Sequence, residues 1–249
     1  MKKSIYFVAN WKMNGGLNSL KDLVKINKFL SKPNSFKIIV CPPILFTKFF
    51  ATNLKKLKFS FGSQDVSVID KDFGAYTGEV SSKMLIENRI QYVLVGHSER
   101  RTLGDTNQVI KHKLISALRN KVKVIFCFGE NLNDKKNNLS LKVIKKQILS
   151  SVDKKLVSKN IIFAYEPIWS IGTGIVPEKE YLNYIFSNIK KILKEYLKLK
   201  NPEILYGGSV SSETINDLKK VNHLSGFLVG GASLKSSSFI NLLKSYKYN

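Results

Sequence analysis

The sequence predicts an α/β protein in which residues 1–249 form a single-domain (β/α)8 barrel. Eight short apolar segments alternate with amphipathic segments, and several of the short ones are almost continuously apolar, as parallel strands covered by helices are. No linker, short repeat or low-complexity segment divides the sequence, whose length suits one barrel. An open, doubly wound sheet is the competing architecture for this alternation.

The predicted strands are short, and segments with helical spacing connect several of them. The strands cover residues 5–9, 37–41, 58–62, 92–95, 122–126, 161–165, 204–206 and 226–229. Apolar residues recur at three- and four-residue intervals through 110–118, 141–152 and 181–196, which predicts amphipathic helices there. Strands and helices therefore alternate as a parallel barrel requires.

The composition favours a globular protein with a very basic surface. Hydrophobic residues make up 43% of the chain, and 41 lysines and arginines against 18 acidic residues give a formal charge of +23. Such a charge is compatible with binding to nucleic acid, and a nucleic-acid role beside catalysis is one alternative. The lysines occur singly or in pairs beside apolar residues, so we predict a lysine-rich solvated surface without a nucleic-acid partner.

No segment indicates secretion or a membrane span. The apolar runs are shorter than the roughly 18 residues of a membrane helix, and the run at 5–9 is too short for the core of a signal peptide. Cys41 and Cys127 lie in apolar strands, which indicates buried free thiols rather than a disulfide. We therefore expect a soluble, cytoplasmic protein with no membrane partner.

Polar side chains and glycines follow the predicted strands at their C-terminal ends. In a (β/α)8 barrel these ends form one face, which carries the active site. Each feature alone has an ordinary structural explanation, such as a turn or a helix cap, but together they indicate a catalytic face. Its residues are Asn10, Trp11 and Lys12 after the first strand, His97 to Arg101 after the fourth, Glu130 after the fifth, Glu166 after the sixth, Gly207, Gly208 and Ser209 after the seventh, and Gly230 and Gly231 after the eighth.

Two glycine-containing loops on this face favour a phosphate ligand. Residues 207–209 precede a helix predicted to begin at Glu213, and residues 230–231 precede one predicted to begin at Leu234. Backbone N–H groups at such positions bind phosphate. The loops after the seventh and eighth strands are also the usual phosphate site of these barrels.

Glu166 stands between a predicted buried strand and an apolar loop whose glycines would allow it to move. Pro167 follows it directly, and Gly172 and Gly174 lie further along the loop. A carboxylate becomes more basic when water is excluded from it. Glu166 is therefore a candidate functional carboxylate.

Several segments carry a resemblance to a known family. ANWK (9–12), VGHSERR (95–101), CFGE (127–130), AYEPIWSIGTG (164–174), YGGSV (206–210) and LVGGASL (228–234) resemble the triosephosphate isomerase family, in that family's order and approximate spacing. GAYTGEVS (74–81) is similar to the family's third loop, which inserts into a partner subunit. The combination of the HSERR and AYEP segments is highly specific.

The resemblance implies a TIM barrel that interconverts dihydroxyacetone phosphate and D-glyceraldehyde 3-phosphate through an enediolate, in glycolysis and gluconeogenesis. It implies no metal and no cofactor. It also implies a homodimer in which Thr77 of one subunit approaches Asn10 and Lys12 of the other.

The resemblance further implies a role for five residues of the face. The family's carboxylate base and neutral imidazole would be Glu166 and His97. Lys12 would attract the dianionic substrate and stabilise the oxyanion, and Asn10 would orient Lys12 and make a polar contact to the substrate. Glu99 would either pair with Lys12 or relay a proton.

Substrate phosphate would bind to a second set of residues, and a lid would cover it. The implied lid is residues 167–177, which keep water from the enediolate. The implied N–H groups for the phosphate are those of Gly172, Ser209, Gly230 and Gly231.

The sequence departs from the family's pattern at a few positions. Residues 175–177 are shorter than the usual end of the lid and lack its lysine, Asp105 stands where glutamate is usual, and Asp65 stands where asparagine is usual. A different phosphate-binding barrel enzyme, such as an aldolase or a phosphoribosyl isomerase, is the other alternative. Those enzymes need a Schiff-base lysine within a strand or paired acids on strands one and five, and neither feature is evident.

Overall fold

The structure is a closed barrel of eight parallel strands, seen in a computed structural model that describes residues 4–155 and 160–248. Each strand pairs with its neighbours in sequence, and β1 pairs with β8 to close the barrel. This confirms the predicted (β/α)8 class and excludes the open sheet. The strands are β1 Ile5–Asn10, β2 Phe36–Cys41, β3 Ser60–Ser63, β4 Ile90–Val95, β5 Lys123–Phe128, β6 Ile161–Tyr165, β7 Ile204–Tyr206 and β8 Gly226–Val229.

Helices fill the connections between the strands, as the spacing of apolar residues predicts. Of the described helices, α5, α7 and α8 occupy the three segments with the clearest helical periodicity. The helices are α1 Leu20–Leu30, α2 Ile44–Asn53, α3 Ser82–Glu87, α4 Ser98–Thr102, α5 Asn107–Arg119, α6 Leu132–Lys136, α7 Ser140–Ser151, α8 Lys179–Leu197, α9 Ile215–Leu218 and α10 Ser236–Tyr248.

Some predicted boundaries are wrong by a few residues. The helix expected from Glu213 begins at Ile215, because Ser211 and Thr214 first form a hydrogen-bonded turn. The helix expected from Leu234 begins at Ser236, since a 3-10 turn at Gly231–Ser233 occupies the preceding residues. Strand β3 begins at Ser60 rather than at residue 58, and β5 runs on to Phe128.

Two apolar layers explain why the strands are apolar on both faces. Alternate strand residues such as Val8, Ile39 and Leu94 fill the inside of the barrel. The intervening residues, such as Phe7 and Ile38, pack outward against the helices. Free thiols at Cys41 and Cys127 lie in the inner layer, as predicted.

The parallel arrangement places every strand end, and the loop after it, at one end of the barrel. We call this the C-terminal end. None of the helices within residues 4–155 and 160–248 is long and apolar enough to cross a membrane.

Candidate active site

A cavity of about 310 Å³ opens at the C-terminal end of the barrel. Of the residues for which the resemblance implies a role in catalysis or phosphate binding, all line it except Glu99, which is half exposed beside it and forms an ion pair with Lys12. The residues brought together are Asn10, Lys12, His97, Glu166, Gly172, Ser209, Gly230 and Gly231.

Glu166 follows β6 and has an almost completely buried carboxylate, with only 2% of the residue exposed. Its Oε2 accepts a hydrogen bond from the backbone N–H of Ser98 at 3.1 Å. Its Oε1 lies 3.2 Å from His97 Nε2. Burial raises the pKa of Glu166 above its ordinary value, while His97, the Ser98 N–H and Lys12 act in the opposite direction.

Two glycines make room for Glu166. A β-carbon at Gly129 would lie 1.8 Å from the backbone oxygen of Glu166, which no side chain could tolerate. A β-carbon at Gly207 would lie 2.9 Å from Cγ of the same glutamate. The glycines of the CFGE and YGGSV segments thus have a packing reason beyond turn formation.

His97 caps the N-terminus of α4, and this fixes its ring. The backbone N–H of Glu99 donates to His97 Nδ1 at 3.2 Å. Because Nδ1 accepts a hydrogen bond, the proton of the neutral imidazole lies on Nε2. Nε2 faces Glu166 and the cavity, so the ring presents an N–H donor there.

Lys12 has an unusual backbone conformation, with φ of 53°. The left-handed region is costly for a residue with a side chain, so other contacts must stabilise this conformation of Lys12. Asn10 Oδ1 accepts from the Lys12 N–H at 3.0 Å, and Gln64 Nε2 donates to the Lys12 carbonyl at 2.8 Å. The Lys12 Nζ lies 2.7 Å from Glu99 Oε1.

The segment after Glu166 covers one side of the cavity. Gly172 and Gly174 both have positive φ, 71° and 75°, which glycine adopts without strain. The Gly174 N–H donates to Ser209 Oγ at 3.2 Å, and Ser209 Oγ donates to the Ser170 carbonyl at 2.5 Å. Residues 170–174 are thereby held against the loop that follows β7.

Comparisons with known proteins identify the family. A family model described as triosephosphate isomerase matches residues 5–246. The chain is 37% identical over 248 residues to the triosephosphate isomerase of Neurospora crassa, with 98% of each chain covered. The chain belongs to the triosephosphate isomerase family. It is also 36% identical to the enzyme of Ruthia magnifica, covering 97% of this chain and 99% of that one.

A solved structure agrees with this assignment. The barrel superposes on a crystal structure of triosephosphate isomerase from Bartonella henselae with a TM-score of 0.88 and 30% sequence identity, covering 98% of this chain and 99% of that one. The resemblance drawn from the motifs is therefore confirmed. The chain is an intramolecular isomerase of triose phosphates.

Glu130 follows β5, as the sequence predicts, but its side chain does not reach the cavity. It was expected among the polar groups of the catalytic face, but it is fully buried beside the cavity and does not line it. Its Oε1 accepts from the hydroxyls of Tyr165 and Tyr181 and from the indole N–H of Trp169. Glu130 thus holds the start of the segment after Glu166, where Trp169 lies.

The sequence did not single out Gln64, although it directly supports Lys12. Besides the Lys12 carbonyl, its Nε2 donates to the Cys41 carbonyl at 2.9 Å and so ties β2 to the loop after β1. One signal could have identified it, because Gln64 follows β3 at the same end of the barrel as the other site residues.

Two of the departures from the family's pattern meet in one ion cluster. Lys113, only 5% exposed in its side chain, lies 2.7 Å from Asp105 Oδ2 and 2.8 Å from Asp65 Oδ1. Arg100 Nε lies 3.0 Å from Asp65 Oδ2. Two cations and two carboxylates therefore balance each other next to Gln64, which explains how both aspartates are accommodated.

Across the described ranges 4–155 and 160–248, no group of three or more His, Cys, Asp and Glu side chains is arranged to hold a metal ion.

Proposed function

We propose that Glu166 is the base that moves a proton between the adjacent carbons of dihydroxyacetone phosphate and D-glyceraldehyde 3-phosphate. The supporting observation is the burial of this carboxylate at 3.2 Å from His97 Nε2, in a cavity that Lys12 also lines. A carboxylate has two oxygens and can take a proton from one carbon and return it to the next. Burial strengthens it as a base, consistent with its raised pKa.

His97 acts as the electrophile in this proposal. The hydrogen bond from the Glu99 N–H to Nδ1 leaves the proton on Nε2. That N–H donates to the oxygens of the enediolate as negative charge develops on them. Substrate oxygen then replaces Glu166 as the partner of Nε2.

Lys12 supplies the fixed positive charge of the site. Its ammonium attracts the dianionic substrate and stabilises the oxyanion. Asn10 orients Lys12 through the backbone N–H. The 2.7 Å ion pair with Lys12 favours the pairing role for Glu99 over proton relay.

The phosphate binds at the side of the cavity lined by glycine and serine. Gly172, Ser209, Gly230 and Gly231 line this side, and N–H groups at such positions suit a phosphate dianion. The Ser209 N–H donates to Ser170 Oγ at 3.3 Å and would exchange that partner for the phosphate. Residues 167–177 act as the lid that keeps water from the enediolate. The hydrogen bond between Gly174 and Ser209 joins the lid to the phosphate loop.

The active form is a homodimer, by the same proposal. Met13, next to Lys12, is 96% exposed and Phe73 is 67% exposed, which leaves both apolar side chains available for contact with a second copy. A cavity of about 420 Å³ next to Lys12 and Met13 is suited to receive the loop containing Phe73 and Thr77 from a second copy. Ultracentrifugation tests this proposal, because a fully active monomer would contradict it.

We place the activity in glycolysis and gluconeogenesis in the cytoplasm, carried by one domain that spans residues 1–249. A coupled assay of the purified chain tests the reaction. We expect D-glyceraldehyde 3-phosphate to be converted to dihydroxyacetone phosphate, which a reducing enzyme then consumes with loss of NADH absorbance. Turnover of a phosphoribosyl substrate or aldol cleavage instead would overturn the proposal.

A further inference from the structure

Lysines that are scattered along the sequence share one end of the barrel. Each connection that enters a strand approaches the end of the barrel opposite the cavity, since all strands are parallel. On the side formed by β2 to β5, the exposed cations of these connections and strand starts include Lys37, Lys58, Arg89, Lys121 and Lys123. One end of the barrel therefore carries a dense band of positive charge.

The band continues around the rest of this end. Lys154 and Lys155 precede β6, Lys198 and Lys200 precede β7, and Lys220 precedes β8, and all five are exposed. We call this set of cations the lysine ring; its members are Lys37, Lys55, Lys56, Lys58, Arg89, Lys121, Lys123, Lys154, Lys155, Lys198, Lys200 and Lys220. Because the strands close into a barrel, the set forms a ring rather than a row.

Acidic residues are rare at this end and common at the other. In the described residues between each helix and the strand it enters, the acids are Asp153 and Glu203. Three further acids pair with cations near this end, because Asp217 contacts Lys220, and Asp70 and Asp72 contact Arg119 at the end of α5. The loops after the strands contain a much larger share of the acidic side chains, among them Asp65, Glu99 and Asp105. Cations therefore outnumber acids at the end of the barrel opposite the cavity.

Local backbone effects do not account for the ring. Helix C-termini end here, and their dipoles favour a nearby cation, but the connection into β3 carries Lys55, Lys56 and Lys58 together. Lys56 and Arg89 have left-handed backbones, with φ of 50° and 62°, at positions where glycine or asparagine is less strained. Helix dipoles and turn geometry therefore do not explain why so many cations lie at this end.

We infer that the lysine ring docks the enzyme on an anionic lipid bilayer, with the active site facing away from it. A planar array of negative charge can meet all sides of the ring at once, whereas a nucleic-acid duplex is a rod and meets only one strip of it. The ring is also mostly lysine, which acts as a point charge, rather than arginine, which reads phosphates and bases with fixed geometry. These features favour a lipid surface over nucleic acid.

Contact of this kind is electrostatic and leaves the bilayer core untouched. Tyr6 and Tyr92 lie near the lysine ring but are buried. The Lys37 ammonium lies 4.9 Å from the centroid of the Tyr6 aromatic ring, and the Lys123 ammonium lies 5.4 Å from that of Tyr92. No described helix could span a membrane. We therefore expect reversible binding that salt weakens, and substrate retains access to the cavity at the far end. The inference does not depend on the roles proposed for the catalytic residues.

Co-sedimentation with lipid vesicles tests this inference in the full-length enzyme. Vesicles of phosphatidylcholine with about one third phosphatidylglycerol are compared with pure phosphatidylcholine at about 0.1 M salt, near physiological screening. We expect binding to the anionic vesicles only, release when the salt concentration is raised several-fold, and unchanged isomerase activity of the bound enzyme.

A matched pair of variants locates the contact. The ring variant carries Lys55→Gln, Lys58→Gln, Lys154→Gln and Lys200→Gln. The control variant loses the same charge at the active-site end, through substitution of Lys21, Lys136, Lys142 and Lys179 by glutamine. We expect the ring variant to bind at least about tenfold more weakly and the control variant to change by no more than about twofold.

Several outcomes would overturn the inference. Equal weakening in both variants would mean that net charge, and not the ring, is responsible. Tighter binding to a short DNA duplex than to vesicles at equal phosphate concentration would assign the ring to nucleic acid. Absence of binding, or equal binding to neutral vesicles, would remove the lipid partner altogether. Loss of activity on the vesicles would contradict the stated orientation.

Discussion

Two buried glutamates at the ends of adjacent strands show how surroundings separate a structural carboxylate from a reactive one. Glu130 follows β5 and Glu166 follows β6, and they are 0% and 2% exposed. Residue type, burial and place in the barrel are therefore the same for both. What differs is the set of groups that each carboxylate contacts.

Glu130 is held by three donors from different elements. The Tyr165 hydroxyl, the Trp169 indole N–H and the Tyr181 hydroxyl all reach its Oε1 within 3.0 Å. The Lys135 ammonium lies over the Trp169 ring, 3.6 Å from its centroid, and this cation–π contact further restrains the indole that donates to Glu130. A carboxylate so restrained acts as an anchor.

Glu166 has far less to hold it. One backbone N–H, from Ser98, donates to it, and His97 lies 3.2 Å away. Gly129 and Gly207 leave space around its backbone and Cγ. A carboxylate with few donors keeps its basicity and can exchange its partners for substrate, so the comparison supports Glu166 as the base and Glu130 as a support for the lid.

The largest expected effect comes from shortening Glu166. Glu166→Asp withdraws the carboxylate by about one bond length, and a misplacement of ~1 Å can cost about 10²-fold in rate. We expect kcat to fall by that factor or more while KM stays within a few-fold, measured in the coupled assay. A folded variant with near-normal kcat would remove Glu166 from its role.

A smaller effect is expected at Glu130. Glu130→Gln has the same shape but cannot satisfy three donors at a single charged oxygen, so we expect a loss of about 1–3 kcal/mol in the free energy of unfolding. Activity should fall much less than in Glu166→Asp. Urea titration and the coupled assay on the same preparation separate the two effects. A loss of activity matching that of Glu166→Asp, with unchanged stability, would mean that the two roles are assigned wrongly.

The smallest effect concerns pH. Burial raises the pKa of Glu166 above its ordinary 4.5. At a pH between the ordinary and the raised pKa, the Glu166 carboxyl is therefore protonated in the folded protein and ionised in the unfolded chain. The tighter proton binding by the folded protein contributes stability that is fully present below about pH 4.5 and is lost as the pH rises through the folded-state pKa of Glu166. We expect Glu166→Gln, which stays neutral, to become more stable than the original protein over that range.

Thermal melts of the two proteins at several pH values measure this difference without substrate, whose own phosphate would titrate in an assay. A difference in Tm that does not change with pH would show that the Glu166 pKa is unshifted.

The strands were the most predictable part of the fold. Residues buried on both sides of a parallel sheet form continuous apolar runs, so β6, β7 and β8 were predicted with their observed bounds. The start of β3 was not, because Lys58 and the apolar residues beside it look like strand although pairing begins at Ser60. The residues at which helices begin depend on the geometry of the preceding loops. That geometry is fixed by hydrogen bonds that the spacing of apolar residues does not reveal.

The candidate site was predictable where residues follow strands directly and unpredictable where contacts cross the barrel. Gln64 reaches Lys12 across 52 positions of sequence. The cluster of Lys113, Asp65 and Asp105 likewise joins separate segments. The lysine ring was missed for a related reason, since its members are spaced along the sequence and meet only when the strands close into a barrel.

The most direct test of the account compares two products in two variants. If Glu166 starts the reaction and the lid protects what it makes, deletion of residues 171–174 should leave proton abstraction in place at a reduced level. The enediolate should then escape and lose phosphate to give methylglyoxal. Glu166→Asp should instead lower isomerisation and elimination together, because both begin with the same proton transfer.

The measurement is the ratio of methylglyoxal to isomerised product in each variant. We predict a raised ratio in the lid deletion and an unchanged ratio in Glu166→Asp. An unchanged ratio in a well-folded lid deletion would contradict the account, because the loop would then bind substrate without protecting the intermediate.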